Sequence, residues 1–313
     1  MPAMKLRRLG KTGWDVSAVS MGCWALGGQW GAVSEREAVA TVHAALDAGV
    51  NLFDTADSYG LGQSELFLGK ALADRRSAAY VATKVGNWAR RAGDPPGLKS
   101  IYSIIGGCHA SLYRLRIDTI DLYQCHLASP EHPEIFVEAF ELLKQQGKIR
   151  HYAISTNDLR ALQALDVNGQ CAACQINYSL LNRSAERDIL PYCRDHDIGV
   201  LLRGPLAQGL LADKFDEDTR FDDSVRADWN PGGARRAYLL ARLDVVSRLR
   251  GVLRPGQKMA DVALQFTLAH PAVTCPIPGM KNPRQARANA AAADAELDRE
   301  QAAAIAAICP PAA

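Results

Sequence analysis

NLFDTADSYG, residues 51–60, puts a carboxylate and a phenol at the end of one short strand. The apolar run from Val50 to Phe53 is the strand; Asp54 stands where it runs out, and Tyr59 follows in the loop. A charge and a weak acid so placed are half of a proton-transfer site. Taken alone, they equally suit a capping aspartate and a packed loop tyrosine, so the flanking chain decides.

On both sides strands alternate with helices. Upstream, residues 5–9 and 15–17 flank Gly10-Lys11-Thr12-Gly13 as a small hairpin, and residues 19–22 make a first strand. Ser34 and Glu37 form a capping box that opens a helix with Val39, Val42, Ala45 and Leu46 on its apolar face and a stop at Gly49. Downstream, strands are expected at 80–83, ending on Lys84, at 120–125, ending on His126, and at 152–154, ending on Ser155. Three more follow at 173–176, carrying Gln175, at 199–202, ending on Arg203, and at 273–277. Helices are expected at 64–72, 98–115, 133–146, 184–196, 234–250, 259–270, 283–292 and 298–307. Eight strands, each followed sooner or later by a helix and with no linker between halves, predict an α/β chain. Its expected form is one (β/α)8 TIM barrel over residues 1–313, with an N-terminal β-hairpin and extra C-terminal helices. No GxGxxG follows an early strand, which argues against a doubly wound nucleotide-binding domain.

The composition, 48% apolar and 22% charged with a formal charge of +2, is that of a globular protein. It gives no reason to expect nucleic acid or an anionic membrane as a partner. No apolar run approaches the ~20 residues that cross a bilayer, and the N-terminus lacks the apolar centre of a secretion signal, so a cytoplasmic location is expected. The eight cysteines are scattered through apolar surroundings, as buried reduced thiols. Cys171 and Cys174 match CxxC but lead into a strand, where residues three apart face opposite ways, and no second pair completes a zinc site; no metal is expected.

In a barrel the chemistry sits at the C-terminal strand ends. Asp54, Lys84 and His126 end neighbouring strands, and Tyr59 reaches the same space. Singly, a lysine or histidine there suits a surface cation or a satisfied core ring, but four such groups at one mouth form a constellation. A phenol ionises near pH ~10, too weak an acid to protonate a developing alkoxide at neutral pH unaided. An adjacent ammonium favours the phenolate and brings the tyrosine toward the working pH, with Asp54 holding that ammonium charged. His126 adds a donor for a carbonyl oxygen or a proton relay. Such a group suits hydride transfer to a carbonyl.

Four stretches, GVNLFDTADSYGLGQSELFLGKAL, VATKVG, TIDLYQCH and IPGMKNPRQARAN, resemble the aldo-keto reductase family in order and spacing over nearly the whole chain. The resemblance implies a (β/α)8 barrel binding NADP(H) extended, without a Rossmann domain. It also implies a tetrad of Asp54, Tyr59, Lys84 and His126, with Tyr59 as general acid/base. It places Ser155 and Gln175 on the nicotinamide carboxamide. The usual Ser-Asn pair is Ser155-Thr156 here, with Asn157 one place on, which leaves the third contact open between Thr156 and Asn157. Arg203 stands where many members stack an aromatic ring, and RGPLAQGLLADKF is similar to a bacterial-type branch. Gly204, Pro205, Leu206 and Gln208 would cover the pyrophosphate, Lys214 would meet a phosphate, and Gln285 and Asn289 would face the adenine.

Physically, the loop at Gly279 running into a helix near Pro283, with Lys281 beside it, offers free N–H groups and a cation for the 2′-phosphate of NADP(H). The arginine common at the Gln285 position is absent, which leaves NAD(H) open. Trp24 and Trp30 in the first loop and Trp88 after Lys84 are the substrate-facing candidates, Trp24 also on the cofactor side. The charged segment 215–233 is expected to be a mobile loop closing over the cofactor. The implied activity is reversible reduction of an aldehyde or ketone to an alcohol, with oxidation of a sugar or polyol as the alternative. The family also resembles auxiliary potassium-channel subunits, but His126 is present here where that branch has another residue. Oligomeric state is not legible, since the family contains monomers and larger assemblies.

Overall fold

The structure, a computed structural model, is described over residues 4–89, 98 and 100–311. Strands β1 (Leu6–Arg8) and β2 (Asp15–Ser17) pair antiparallel as the expected hairpin. Eight strands then lie parallel in chain order: β3 (Met21–Gly22), β4 (Leu52–Asp54), β5 (Tyr80–Val85), β6 (Ile120–Cys125), β7 (Ile149–Ser155), β8 (Cys171–Asn177), β9 (Gly199–Arg203) and β10 (Cys275–Pro276). The sheet closes on itself. The Ser20 N–H donates to Pro276 O and the Gly22 N–H to Pro278 O, each at 3.0 Å, so the first and last strands meet. This is the (β/α)8 barrel.

Around it run α1 (Glu35–Asp47), α2 (Gln63–Leu72), α3 (Ile101–Leu115), α4 (Pro133–Gln145), α5 (Leu159–Leu165), α6 (Ile189–Asp195), α7 (Arg236–Arg250), α8 (Met259–Ala269), α9 (Pro283–Ala291) and α10 (Arg299–Ile308). Helix α1 starts as expected, with both bonds of the Ser34–Glu37 capping box made. Helix α5 has no counterpart among the expected elements; Asp158 caps it, its side chain accepting from the Arg160 N–H. Helix α6 is shorter than expected because residues 184–186 form a separate 3-10 turn.

Inside the barrel lie Leu52, Ala82, Leu122, Ala153, Ala173 and Leu201, with Leu9 of the hairpin sealing the end where the strands begin. Gly199 is required there: a Cβ on it would stand 2.4 Å from Leu9 Cδ1. A larger apolar layer separates barrel from helices. Between them β8 carries a bulge. Tyr152 pairs with Cys171 but Ala153 with Ala173, so Ala172 is an extra residue. This corrects the expectation that Cys171 and Cys174 face opposite ways: both point outward into the helix layer, while Ala172 and Ala173 point in.

A further cluster gathers Leu210, Leu211, Phe221, Trp229 and residues of α7, α8 and α10. Segment 215–233, expected to be a mobile loop over the cofactor, is tied into this cluster at two points. Trp229 is fully buried, Asn230 accepts from the Phe221 N–H at 2.9 Å and donates to Phe221 O at 2.8 Å, and Arg226 pairs with Asp223 at 2.6 Å. Two aromatic anchors hidden in a charged sequence hold the segment down.

Candidate active site

Asp54, Lys84, Gln124 and Gln175 form a polar layer above the apolar filling of the barrel. Each stands two residues beyond an inward-facing apolar residue of its own strand: Leu52, Ala82, Leu122 and Ala173. Period-two alternation therefore carries all four inward. The Lys84 ammonium is fully buried and donates to Asp54 Oδ1 at 2.5 Å, to Thr55 O at 2.8 Å and to the Tyr59 phenol oxygen at 3.2 Å. Asp54 Oδ2 accepts from Gln124 Nε2 at 2.8 Å and from Gln175 Nε2 at 2.7 Å. Three donors thus meet this carboxylate, one on Oδ1 and two on Oδ2, as burial of a charge demands.

Tyr59 stacks on Trp24, ring centroids 5.8 Å apart, and meets the His126 ring edge-on at 5.9 Å. The loop comes this close to the Trp24 segment because two glycines face each other: a Cβ on Gly60, whose φ is +61°, would lie 2.4 Å from Gly27 O. Asp54, Tyr59, Lys84 and His126 are thus one constellation. Its electrostatics differ from the expectation in one respect. Burial raises the Tyr59 pKa, Lys84 opposes the rise and Asp54 adds to it, so the phenol lies above its ordinary 10 rather than below. Burial is the largest single influence on Lys84 and works against its charge, but the charges and hydrogen bonds of Asp54 and Tyr59 together outweigh it, and the lysine pKa is raised.

Nearby, Ser155 and Gln175 end β7 and line β8 side by side. Thr156 is buried, its hydroxyl donating to Ala128 O at 2.5 Å and accepting from the Asp158 N–H at 2.9 Å. Asn157 is exposed and its Oδ1 accepts from the Asn177 N–H at 2.9 Å and from Arg203 Nη2 at 3.2 Å. After Arg203 the chain turns through Gly204, Pro205, Leu206 and Gln208, with Gly204, Gln208 and Gly209 all at positive φ. Lys214 is held below its ordinary pKa by burial and by the charges of Arg226, Lys281 and Arg284. Lys281 and Arg284 flank the start of α9, so Lys214 lies near that helix end, while Arg226 is held by Asp223. Lys281 Nζ donates to Trp30 O at 3.0 Å, and its N–H donates to Gln285 Oε1 at 2.8 Å. Asn289 is buried in α9, and Gly279 bridges to Gly22. Trp30 meets Trp24 edge-on at 4.9 Å, under the Arg226 guanidinium. Trp88 takes a different place. With Asp57, Gly106, Gly107 and Arg114 it lines a cavity of about 310 Å³ between the end of β5 and α3.

The sequence model of the Aldo/keto reductase family matches residues 18–309. The chain belongs to the aldo/keto reductase family. As a member it is an oxidoreductase. It is 32% identical to aldo-keto reductase YhdN of Bacillus subtilis, over 91% of this chain and 87% of that one. It is also 32% identical to the NADH-specific methylglyoxal reductase of Escherichia coli, over 96% and 99%. Among solved structures, an aldo-keto reductase of Klebsiella pneumoniae in complex with NADPH superposes with a TM-score of 0.76 at 28% identity, covering 99% of this chain and 96% of that one. The glycerol dehydrogenase AKR11B4 of Gluconobacter oxydans does so with 0.83 at 30%, covering 99% and 97%.

In this aldo/keto reductase the sequence left three site residues unnamed. Gln124 was legible as a polar residue in inward phase two places before His126. Arg226 and Arg284 were not, because nothing local shows that they approach Lys214 and Lys281. Among the described residues no cluster of three or more His, Cys, Asp and Glu side chains is arranged to hold a metal ion, and no helix is long and apolar enough to cross a membrane.

Proposed function

We propose that the protein is an NADP(H)-dependent carbonyl reductase with Tyr59 as its general acid. The observation that carries this is the buried Lys84 ammonium, shared between Asp54 and the Tyr59 phenol. Because burial raises the Tyr59 pKa, the phenol keeps its proton at neutral pH and the resting site is an acid. Reduction needs that form. As negative charge develops on the carbonyl oxygen, Tyr59 gives up its proton and Lys84 stabilises the phenolate left behind. His126, edge-on to Tyr59, offers a second polar group to the same oxygen.

The residues present fit a phosphorylated dinucleotide. Lys214, Lys281 and Arg284 gather positive charge near the start of α9, with Arg226 close by but paired with Asp223, and a 2′-phosphate would be met there by cations. Ser155 and Gln175 would hold the carboxamide; the third contact stays open between Thr156 and Asn157, since the Thr156 hydroxyl is engaged by Ala128 O and the Asn157 amide by the Asn177 backbone. When bound, the nicotinamide supplies the hydride. The NADPH complex of the Klebsiella relative supports this choice, and the NADH-specific Escherichia relative is the contrary case. Trp24 and Trp30 would present an aromatic wall to an aldehyde or ketone.

A second reading, oxidation of a small polyol, is favoured by the similarity to glycerol dehydrogenase. It needs the phenolate and so an alkaline optimum. One experiment separates them: oxidation of NADPH and NADH scored near neutral pH against aldehydes, ketones and sugars, beside reduction of NADP+ and NAD+ with glycerol. Turnover of carbonyls with NADPH well above NADH is expected; failure with every carbonyl tried would overturn the proposal.

A further inference from the structure

Asp54 Oδ2 sits between two side-chain amides, and the proton transfer from Tyr59 accounts for neither. Gln124 Nε2 donates to it at 2.8 Å and Gln175 Nε2 at 2.7 Å, and Gln175 Nε2 also lies 3.2 Å from Gln124 Oε1. All three side chains are at most 2% exposed. An ionised carboxylate only accepts, so both amides must turn their nitrogens toward it. That fixes the Gln124 amide, whose oxygen is left to accept from Gln175. It fixes Gln175 as well, whose Oε1 is the end these bonds do not use.

We propose that Gln124 is a positioning residue that sets both the charge on Asp54 and the orientation of the Gln175 amide. The inference rests on the proposed function, in which Tyr59 is the acid and Gln175 meets the carboxamide. Two amide donors spread the negative charge of Asp54 and weaken its field at the phenol, where that charge raises the pKa. With Gln124 gone, more of the Asp54 charge reaches Lys84 and Tyr59, and the phenolate becomes harder to form. Gln175 also loses an acceptor that holds its nitrogen inward, so its oxygen is held less firmly in the orientation that accepts an N–H from a carboxamide. Gln124 thereby ties the seat of the cofactor to the proton affinity of the acid, although it touches neither a cofactor nor a reacting atom.

The test uses the full chain with Gln124→Leu and Gln124→Glu. Three quantities are read: the dissociation constant for NADPH, by fluorescence, the pH dependence of kcat for alcohol oxidation, which needs the phenolate, and that for carbonyl reduction. In Gln124→Leu the limb over which oxidation rises with pH moves up by roughly half a pH unit or more and NADPH binds about fivefold more weakly. Glutamate keeps a donor to Asp54 only while protonated. Gln124→Glu should therefore approach wild-type reduction at the acid end and fall away as pH rises, more steeply than wild type; this also decides the matter if the leucine variant does not fold. A folded Gln124→Leu with unchanged limb and unchanged NADPH affinity would overturn the inference, as would a Gln124→Glu variant with the wild-type profile. If the unsubstituted protein binds NADPH but turns over no carbonyl, the proposed function falls, and the affinity of Gln124→Leu still decides this point.

Discussion

Lys84 Nζ lies 3.2 Å from the phenol oxygen of Tyr59, the one polar atom of that ring, while the ring itself is held by Trp24. Replacing the hydroxyl alone therefore leaves the packing in place. Tyr59→Phe is expected to lower kcat for carbonyl reduction by about 10²- to 10⁴-fold, the usual worth of a positioned acid. NADPH affinity should stay close to wild type. Steady-state kinetics with fluorescence binding checks both, and near-full turnover would remove Tyr59 from the role.

The cation group makes a prediction about selectivity. Lys281 Nζ is anchored on Trp30 O, and its charge is felt at Lys214. Lys281→Ala should weaken NADPH binding by about tenfold or more, since charge-assisted bonds are worth roughly 1.5–3 kcal/mol, and leave NADH binding nearly unchanged. Raising the salt concentration should narrow the same gap in the wild type. Equal losses for both cofactors would place Lys281 elsewhere.

Asp57 supplies a pH dependence. Burial, with Glu65 adding to it, pushes its folded pKa up to about 7 from 3.8. The unfolded chain ionises this group near the lower value while the folded one stays protonated, so folding takes up a proton between the two. Stability from this group is therefore highest below about pH 4, falls as pH rises to about 7, and is level beyond, a cost of at most about 4 kcal/mol. Asp57→Asn should match wild type at the acid end and exceed it at about pH 8. Urea denaturation at the two pH values checks this, and a gap that does not grow with pH would sink it.

Two adjacent glycines in α3 should respond oppositely to alanine. An added Cβ on Gly106 meets nothing within 4 Å, whereas on Gly107 it would lie 2.9 Å from Val85 Cγ2. Gly106→Ala is expected to stabilise by about 0.5–1 kcal/mol through helix propensity. Gly107→Ala must displace Val85, and the overlap should cancel or reverse that gain. Thermal melts of the pair measure the difference directly.

The barrel was legible because it is written in local terms. Apolar runs ending in Asp54, Lys84, His126, Ser155 and Arg203 mark strand ends, and Ser34 with Glu37 marks a helix start. The strand ends also showed which residues share the mouth, so the tetrad was within reach. Helix α5 escaped because it is a short element between two strands, and its capping Asp158 stands directly after the Thr156-Asn157 turn. What no local pattern discloses is the balance of long-range effects. The sign of the Tyr59 shift depends on how deeply the ring is buried, and the fate of Trp88 depends on Arg114, whose guanidinium lies 5.1 Å from its ring. Packing of segment 215–233 likewise rests on partners in α7 and α8 that its charged sequence does not foretell.

The extra residue in β8 divides that strand into two stretches whose inward and outward phases are set separately. The upper stretch aims Gln175 at Asp54; the lower sends Cys171 to the helices. Loss of the single codon for Ala172 would therefore leave both phases standing: Cys171 would still face the helices, and Ala173 and Gln175 would still face inward, now in unbroken alternation. The bulge is a length that the barrel can give up in register, so a deletion at this alanine would be inherited without turning Gln175 away from Asp54.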